Sequence, residues 1–578
     1  MIVEEIKKAV SEACKSIGIK APEVNVEHPA DSAHGDYSTN IALVLAKQAK
    51  ERPRDVAEKI ATVLRSSSLV DSEGRASIER VEVAPAGFIN FHLSAKFFSE
   101  SLEDILKRGD RFGRNEGYGG KTILVEYTDP NPFKEFHIGH LMSNAVGESL
   151  SRLFDFCGAK VSRASYQGDV GLHVAKAVWG IIHDTENLPR ETDSISSKIN
   201  FLATAYVSGS ARYEEDENAK KEIIVLNKKI FERTDPEVNA VYDTGRAWSL
   251  AHFEEIYKKL GTHFDYYFFE SETGVPGEKI VRENIGQVFT ESEGAIVFHG
   301  EKHDPALHTR VFINKEGLPT YEAKELGLAK LKQEKSPSDL FVSITGNEVN
   351  DYFKVVLRAM HCVLPDIASK IKHLSHGMLR MPGGKMSSRK GNVVTGESLI
   401  SAVQKMVSDK MESRELPAEE KEEISSVVAI GAIKYSILRQ AVGGDIIFDQ
   451  EKSISFEGDS GPYLQYSYVR AVSVLRKAEE QDVRFKIEDL RMTKNTGGLE
   501  KLLYRFPEVV ERAANEYEPH YVATYLIELA GAFNRWYANN QIIGSGAEEP
   551  YRLGLTKAFS IVTKNGLWLL GIKTPDKM

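Results

Sequence analysis

Residues 122–167 set the strongest constraint on what this chain can fold into. "TILVEYT" is rich in β-branched and aromatic residues and reads as a strand, and a Pro-Asn-Pro loop follows it. Leu141, Met142, Ala145, Val146, Leu150, Leu153 and Phe154 then recur at helical spacing, Gly158 stops the helix, and "AKVSRASYQ" resumes as a strand. Strand, loop, helix and strand within about 45 residues make a βαβ unit, the opening of a parallel, doubly wound sheet. In such a fold the chemistry sits at the C-terminal ends of the strands. The alternation breaks over about residues 180–280, a helical and charged stretch, and is expected to return with "AIVFHG", "RVFINKEG" and "DLFVSITG". The expected fold class is therefore α/β, a Rossmann-type domain split by an insertion.

A chain of 578 residues exceeds what one hydrophobic core serves, so several domains are expected. Residues 1–112 read as a small α+β domain: a helix at the start, the polar turn "HPADSAHGDYSTN", the helix-like "IALVLAKQAK", then alternating strands in "SIERVEVAPAGFINFHLS". The glycine-rich and charged "RGDRFGRNEGYGGK" links it to the Rossmann-type domain at 113–395. Residues 396–450, with the solvated "SRELPAEEKEE", read as a helical connector, and 451–578 as an all-helical domain. In that last domain Val522, Tyr525, Leu526, Leu529, Phe533 and Trp536 fall on one helix face.

Composition narrows the function classes. No apolar run is long enough for a bilayer, and the start lacks the apolar core of an export signal. Cys14, Cys157 and Cys362 lie far apart with no CxxC pair, which argues against structural zinc or a disulfide framework and for the cytoplasm. A net charge of −10 disfavours indiscriminate coating of DNA. An RNA partner stays open, because affinity follows local basic patches rather than the sum over the chain.

"NPFKEFHIGHLMSN" places His137 and His140 three apart around Gly139 at the mouth of the expected helix. Two rings on one helix face suit a metal, but no Cys, Asp or Glu cluster beside them completes a ligand set. An ordinary helix start is a second reading. A third explains more: free N–H groups and the dipole of a helix following a parallel strand attract phosphate, Gly139 admits a nucleotide close to the backbone, and imidazoles donate to phosphate oxygens. That reading requires a second basic loop. "MLRMPGGKMSSRKGNVVT" supplies one, with Gly383 and Gly384 ahead of Lys385, Met386, Ser387, Ser388, Arg389 and Lys390.

Together these motifs resemble the HIGH and KMSKS signatures of class I aminoacyl-tRNA synthetases. "VEYTDPNPFKEFHIGH", "SYQGDVG", "TYEAKELGLA", "KMSSRKGNVV", "GDSGPYLQYSYVRA", "AGAFNRWY" and "LLGIKTPDKM" resemble the arginyl-tRNA synthetase family in its order, and "HGDYSTNIALVLAK" resembles its N-terminal domain. The resemblance implies ATP-dependent activation of L-arginine to arginyl-adenylate, with Mg²⁺ accompanying ATP, and transfer to the 3′-terminal ribose of tRNA(Arg). It implies a tRNA-binding domain at the N-terminus, an anticodon-binding domain at 451–578, activation that waits for bound tRNA, and a monomer without DNA, membrane or zinc. Carried over residue by residue, it puts His137, His140, Gly139, Met386, Ser387 and Ser388 at ATP, with Lys385 and Lys390 as phosphate clamps. Glu126, Asn131 and Tyr321 match positions for the guanidinium, the α-amino group and the pocket aromatic. Tyr463, Tyr466, Tyr468, Arg470 and Met578 fall among positions for tRNA; aromatics and an arginine on a helix surface stack on unpaired bases.

The chain departs from the family in several places. Ser388 stands where the second motif has a further lysine, and Lys134, three residues before His137, resembles the lysine that family members with a weakened second motif carry. Glu325 stands where aspartate is usual, one methylene longer; Glu348 lies near a frequent glutamine, and His173 ends a pattern that usually closes with glutamine. These three are expected around the arginine, with a structural ion pair as the alternative for Glu325 and Glu348.

Overall fold

The computed structural model describes residues 1–67, 69, 76–381, 395–414, 416–487, 490 and 497–578. They fall into two compact units, Met1–Gly113 with Tyr466–Val510 and Tyr525–Gly566, and Arg114–Gln465 with Glu511–Thr524 and Leu567–Met578. No helix among the described residues is long and apolar enough to cross a membrane.

In the first unit β1 (Tyr37–Thr39), β2 (Ile78–Val83) and β3 (Ile89–Leu93) form an antiparallel sheet in the order β1-β3-β2. Ile6, Val10, Ala13 and Cys14 of the helix Ile2–Ser16 lie buried together because they recur every three to four residues. The strand β1 falls inside the segment that reads as a polar turn; its three residues are all buried, Tyr37 included. Tyr504, from the helical region, packs into this core. Partly buried polar pairs add to the join: His28 Nε2 lies 3.0 Å from Glu508, Tyr37 donates to Glu508, and Lys501 pairs with Asp36 at 2.9 Å. The α+β segment thus packs against part of the helical region within one compact unit.

The second unit is built on β4 (Thr122–Glu126), β5 (Lys160–Gln167), β6 (Tyr266–Phe269), β7 (Thr290–Ser292), β8 (Ala295–His299), β9 (Thr309–Ile313), β10 (Leu340–Gly346) and β11 (Ile371–His376), with the short β12 (Leu379–Arg380) and β13 (Ile446–Ile447) beyond. A five-stranded sheet has the order β11-β10-β4-β5-β6, and every neighbouring pair in it is parallel. From β4 the chain winds one way through β5 and β6 and then returns to the other side through β10 and β11. The switch point therefore lies between β4 and β10, where the doubly wound fold opens a crevice.

Two expectations need correction. "AIVFHG" and "RVFINKEG" do not rejoin the parallel sheet; β7, β8 and β9 form an antiparallel sheet of their own. Part of the cause is local: Glu293 (φ 50°) and Gly294 (φ 83°) make a tight reversal between β7 and β8, which returns the chain antiparallel. Only "DLFVSITG" becomes a strand of the parallel sheet, β10. The helical insertion also ends earlier than about residue 280, since β6 and the helix Glu270–Glu283 belong to the α/β framework. A four-residue aromatic strand carries too little alternation to be read from sequence.

The helix Ile138–Phe156 is buried on nearly every side. Glu148 anchors it: Tyr127 and Thr262 donate to its carboxylate at 2.6 and 2.8 Å, and Arg152 and Arg163 pair with it at 2.7 and 3.1 Å. Burial alone would raise the Glu148 carboxyl, but the two guanidinium groups hold it down at about 2. Ser149 donates to the Leu569 carbonyl at 2.8 Å, so the end of the chain docks on the helix that opens with the paired histidines.

Candidate active site

The loop after β4 is strained and pinned. Thr128 (φ 80°), Asp129 (φ 46°) and Phe133 (φ 66°) occupy left-handed backbone that non-glycine residues avoid, a cost of order 1–3 kcal/mol each that surrounding bonds must offset. Those bonds are present. Ser143 accepts from the Thr128 N–H at 2.9 Å, Asp129 from Tyr166 at 2.7 Å, Asn131 from Gly168 at 2.9 Å and Ser249 from Phe133 at 3.0 Å. The loop thus delivers its side chains into the switch-point crevice with little freedom.

His137 caps the helix and forms a reciprocal box with His140. The Gly139 N–H donates to His137 Nδ1 and the His137 N–H donates to His140 Nδ1, both at 3.1 Å. Each Nδ1 is therefore an acceptor, which leaves each ring neutral with its proton on Nε2. The rings stack with centroids 3.6 Å apart. Burial and the neighbouring Lys134 lower the pKa of both, and His137 and His376 lower that of His140 further. A Cβ on Gly139 would lie 2.9 Å from His137 Cε1, so glycine at this position serves the ring stack. Neither histidine is set up as a metal ligand, and among the described residues no group of three His, Cys, Asp or Glu is placed to hold a metal ion.

Lys385, Met386, Ser387, Ser388 and Lys390 lie outside the described residues. Both flanks of that segment reach the imidazoles. His376, at the end of β11, sits close enough to affect His137 and His140, and donates from Nδ1 to the Gly377 carbonyl at 2.7 Å. On the other side Thr395 bridges His137, and the Gly396 N–H donates to the Phe136 carbonyl at 2.6 Å. His252 pairs with Glu397 at 2.8 Å and clamps the helix that follows. The described residues on either side of that segment, remote in sequence from His137, are thus tied to the histidine-capped helix.

Deeper in the crevice lies an acidic pocket. Glu126, only 4% exposed, pairs with Lys332 at 2.6 Å, and Glu270 pairs with Lys324 at the same distance. Burial, then Glu126, raises the Asp129 carboxyl well above its usual range, and the same two causes push Glu325 up to about 8. Tyr321 opens the helix Tyr321–Lys335 at the exposed mouth, with the Lys324 ammonium 5.2 Å from its ring centroid. Asn131 keeps a lone pair beyond the one engaged by Gly168. His173 is half-buried, with Nε2 3.0 Å from the Gly168 carbonyl; desolvation and Lys134 lower its pKa to about 3. Glu348 stands apart from this pocket, beside His137 and His376, whose pKa values burial lowers against the opposing pull of its carboxylate. Sequence reasoning missed Asp129, Lys332 and His376. Lys332 was discoverable, being seven residues after Glu325 and thus on the same helix face.

In the helical region Arg470 donates to Asn534 at 2.5 Å, and its guanidinium lies 4.8 and 5.3 Å from the rings of Tyr466 and Tyr537. Tyr463, Tyr466 and Tyr468 are all partly exposed on the helix Gly461–Glu480. Met578 is likewise partly exposed.

A parallel doubly wound sheet whose switch point carries a histidine-capped helix, with the flanks of a distant basic segment tied to it, is the arrangement of a class I aminoacyl-tRNA synthetase. Residues 101–450 match the family described as tRNA synthetases class I (R), catalytic domain; residues 464–578 match the DALR anticodon binding domain, and residues 4–93 the arginyl tRNA synthetase N terminal domain. The chain is 31% identical to the arginine–tRNA ligase of Clostridium perfringens over 100% of its length and 99% of that protein's. It is 30% identical to that of Treponema denticola, covering 100% and 98%. The structure of Thermus thermophilus arginyl-tRNA synthetase shares the fold with a TM-score of 0.78 at 23% identity, covering 100% of both chains. The chain belongs to the arginyl-tRNA synthetase family, and its function is arginine–tRNA ligation.

Proposed function

We propose that His137, His140 and Lys134 bind the phosphates of ATP, and that the acidic pocket behind them takes the amino acid. The observation that carries this reading is the mutual capping of the two imidazoles, which leaves each ring an Nε2–H as its only donor. Neutral donors fixed in place stabilise charge that develops on phosphate without having to reorganise. The arginine α-carboxylate attacks the α-phosphorus of ATP, and pyrophosphate leaves; Mg²⁺ enters with ATP as part of the substrate. A ribose hydroxyl at the tRNA 3′ end then attacks the aminoacyl carbonyl, and AMP leaves. Neither step needs a covalent bond to the protein, so positioning and electrostatics do the catalysis.

In this reading Lys385 and Lys390 close over the phosphates with Met386, Ser387 and Ser388 beside the adenylate. Asn131 receives the α-amino group, Tyr321 covers the pocket mouth, and His173 is a neutral wall that orients Gly168. Tyr463, Tyr466, Tyr468, Arg470 and Met578 meet tRNA, as does the α+β region of residues 1–112. The protein acts as a monomer in the cytoplasm, where its separated cysteines remain thiols.

The test is arginine-dependent exchange of pyrophosphate into ATP, with and without tRNA. Exchange is expected only when tRNA(Arg) is supplied. Robust exchange without RNA would overturn the coupling, and exchange driven by another amino acid would overturn the pocket assignment.

A further inference from the structure

We propose that Lys434 and Arg152 are positioning residues for arginyl-adenylate formation: two cations that tie the C-terminal ends of the helices Pro236–Leu260 and Glu549–Leu569 to each other and to the helix that presents His137 and His140. The inference rests on the reading that those histidines meet the phosphates of ATP.

Lys434, on the helix Ala418–Leu438, is 2% exposed. Its ammonium donates to the Leu260 carbonyl at 2.6 Å and to the Gly571 carbonyl at 2.9 Å, and among the described residues no carboxylate pairs with it. Arg152 spans the same two chain segments. It donates to the Gly261 carbonyl at 3.0 Å and to the Trp568 carbonyl at 2.8 Å, while its Nε pairs with Glu148 at 2.7 Å. Ser149 adds a bond to the Leu569 carbonyl. All of these residues belong to the unit built on the parallel sheet. Every acceptor lies in or just past the last turn of a helix, where carbonyls lack a partner within the helix and the dipole favours a cation. A Cβ on Gly571 would lie 2.8 Å from the Lys434 ammonium, so glycine there admits the close approach.

Burying an ammonium against neutral carbonyls is a poor source of stability, since a packed apolar side chain avoids the cost of stripping water from the charge. Burial, then Arg152, lowers the Lys434 pKa to about 7, in keeping with that cost. What the bonds supply is direction: they fix where two chain segments sit. Both segments bear on the crevice. Arg152 and Ser149 belong to the helix Ile138–Phe156, whose N-terminus carries the paired histidines. The helix Pro236–Leu260 holds the strained loop through Ser249, which accepts the Phe133 N–H, and holds Glu397 through His252. If its C-terminal end were released, the loop that carries Lys134 and the helix that begins at Gly396 would lose a common support. Misplacement of that kind lowers the rate of a reaction that depends on alignment more than it lowers affinity.

Single-turnover adenylate formation with saturating ATP, arginine and tRNA(Arg) separates this role from support of the fold, because the amplitude counts active sites and the rate constant reports positioning. Lys434→Met keeps the length of the side chain and removes its donors. Its rate constant per active site is expected to fall by roughly 10- to 100-fold, with the affinities for ATP and arginine within about threefold of native. Lys434→Gln, which retains donors, should recover part of the rate. Arg152→Gln is expected to lower the rate constant in the same way, and the double variant Lys434→Met with Arg152→Gln to lose little more than the larger single loss, because both groups hold one joint. A native rate constant in Lys434→Met or in Arg152→Gln would overturn the proposal, as would losses that multiply in the double variant. Should Lys434→Met fail to fold, Arg152→Gln decides alone. A native rate constant in His137→Gln, measured alongside, would instead sink the phosphate reading of the histidines.

Discussion

Lys134→Ala is expected to lower the rate of arginyl-adenylate formation by about two to three orders of magnitude, the loss typical of removing one preorganised charge stabiliser. Three observations support that size. Lys134 lies near enough to both histidines to depress them, which places its ammonium at the phosphate end of the crevice. Its own pKa is lowered by burial and by Lys176 against the pull of Glu270, so it is open to solvent outward and crowded inward. Among the described residues it has no ion-pair partner within 4.0 Å, and a cation so placed is available for a ligand anion. Ser388, where the family signature carries a lysine, gives Lys134 a charge to replace. Single-turnover adenylate formation with saturating tRNA measures the loss, and calorimetry measures arginine affinity, which is expected to stay within about twofold. Lys134→Arg should recover part of the rate. A near-native rate in Lys134→Ala would leave the phosphates to Lys385 and Lys390.

Lys332→Met is expected to destabilise the protein by about 3–5 kcal/mol, because it strands a buried carboxylate. Glu126 is the last residue of β4, at the centre of the parallel sheet, where Ser343 of β10 and Ala164 of β5 flank it. No water-exposed path relieves its charge once the ammonium 2.6 Å away is gone. Removing both charges together is different: Lys332→Met with Glu126→Gln leaves a packed neutral pair, and most of the stability should return. Urea unfolding of the native chain, both single variants and the double variant closes that cycle. If Lys332→Met falls within about 1 kcal/mol of the native protein, the pair is not a structural unit.

What this sequence determines by itself is local. The βαβ unit around residues 122–167 was legible because strand composition, helical spacing and a stop glycine all act within a few turns of chain. The family resemblance, spread along nearly the whole chain, was legible for the same reason. Tertiary structure decided the rest. Nothing in "HIGH" says that each imidazole would accept a backbone N–H, from Gly139 and from His137, which turns two possible metal ligands into two neutral donors. The spacing of "AIVFHG" and "RVFINKEG" is that of any pair of strands, and only their antiparallel pairing with each other and with β7 set them in a separate sheet. The composition of the pocket was the least visible of all. Glu126, Asp129, Glu270, Glu325 and Lys332 come from separate elements, and whether each carboxyl finds a cation depends on distances of a few ångströms between segments far apart in the chain. Electrostatic energy in a buried site varies steeply over such distances, so residue identity alone could name the carboxyl groups but could not say which would be paired and which left for a ligand.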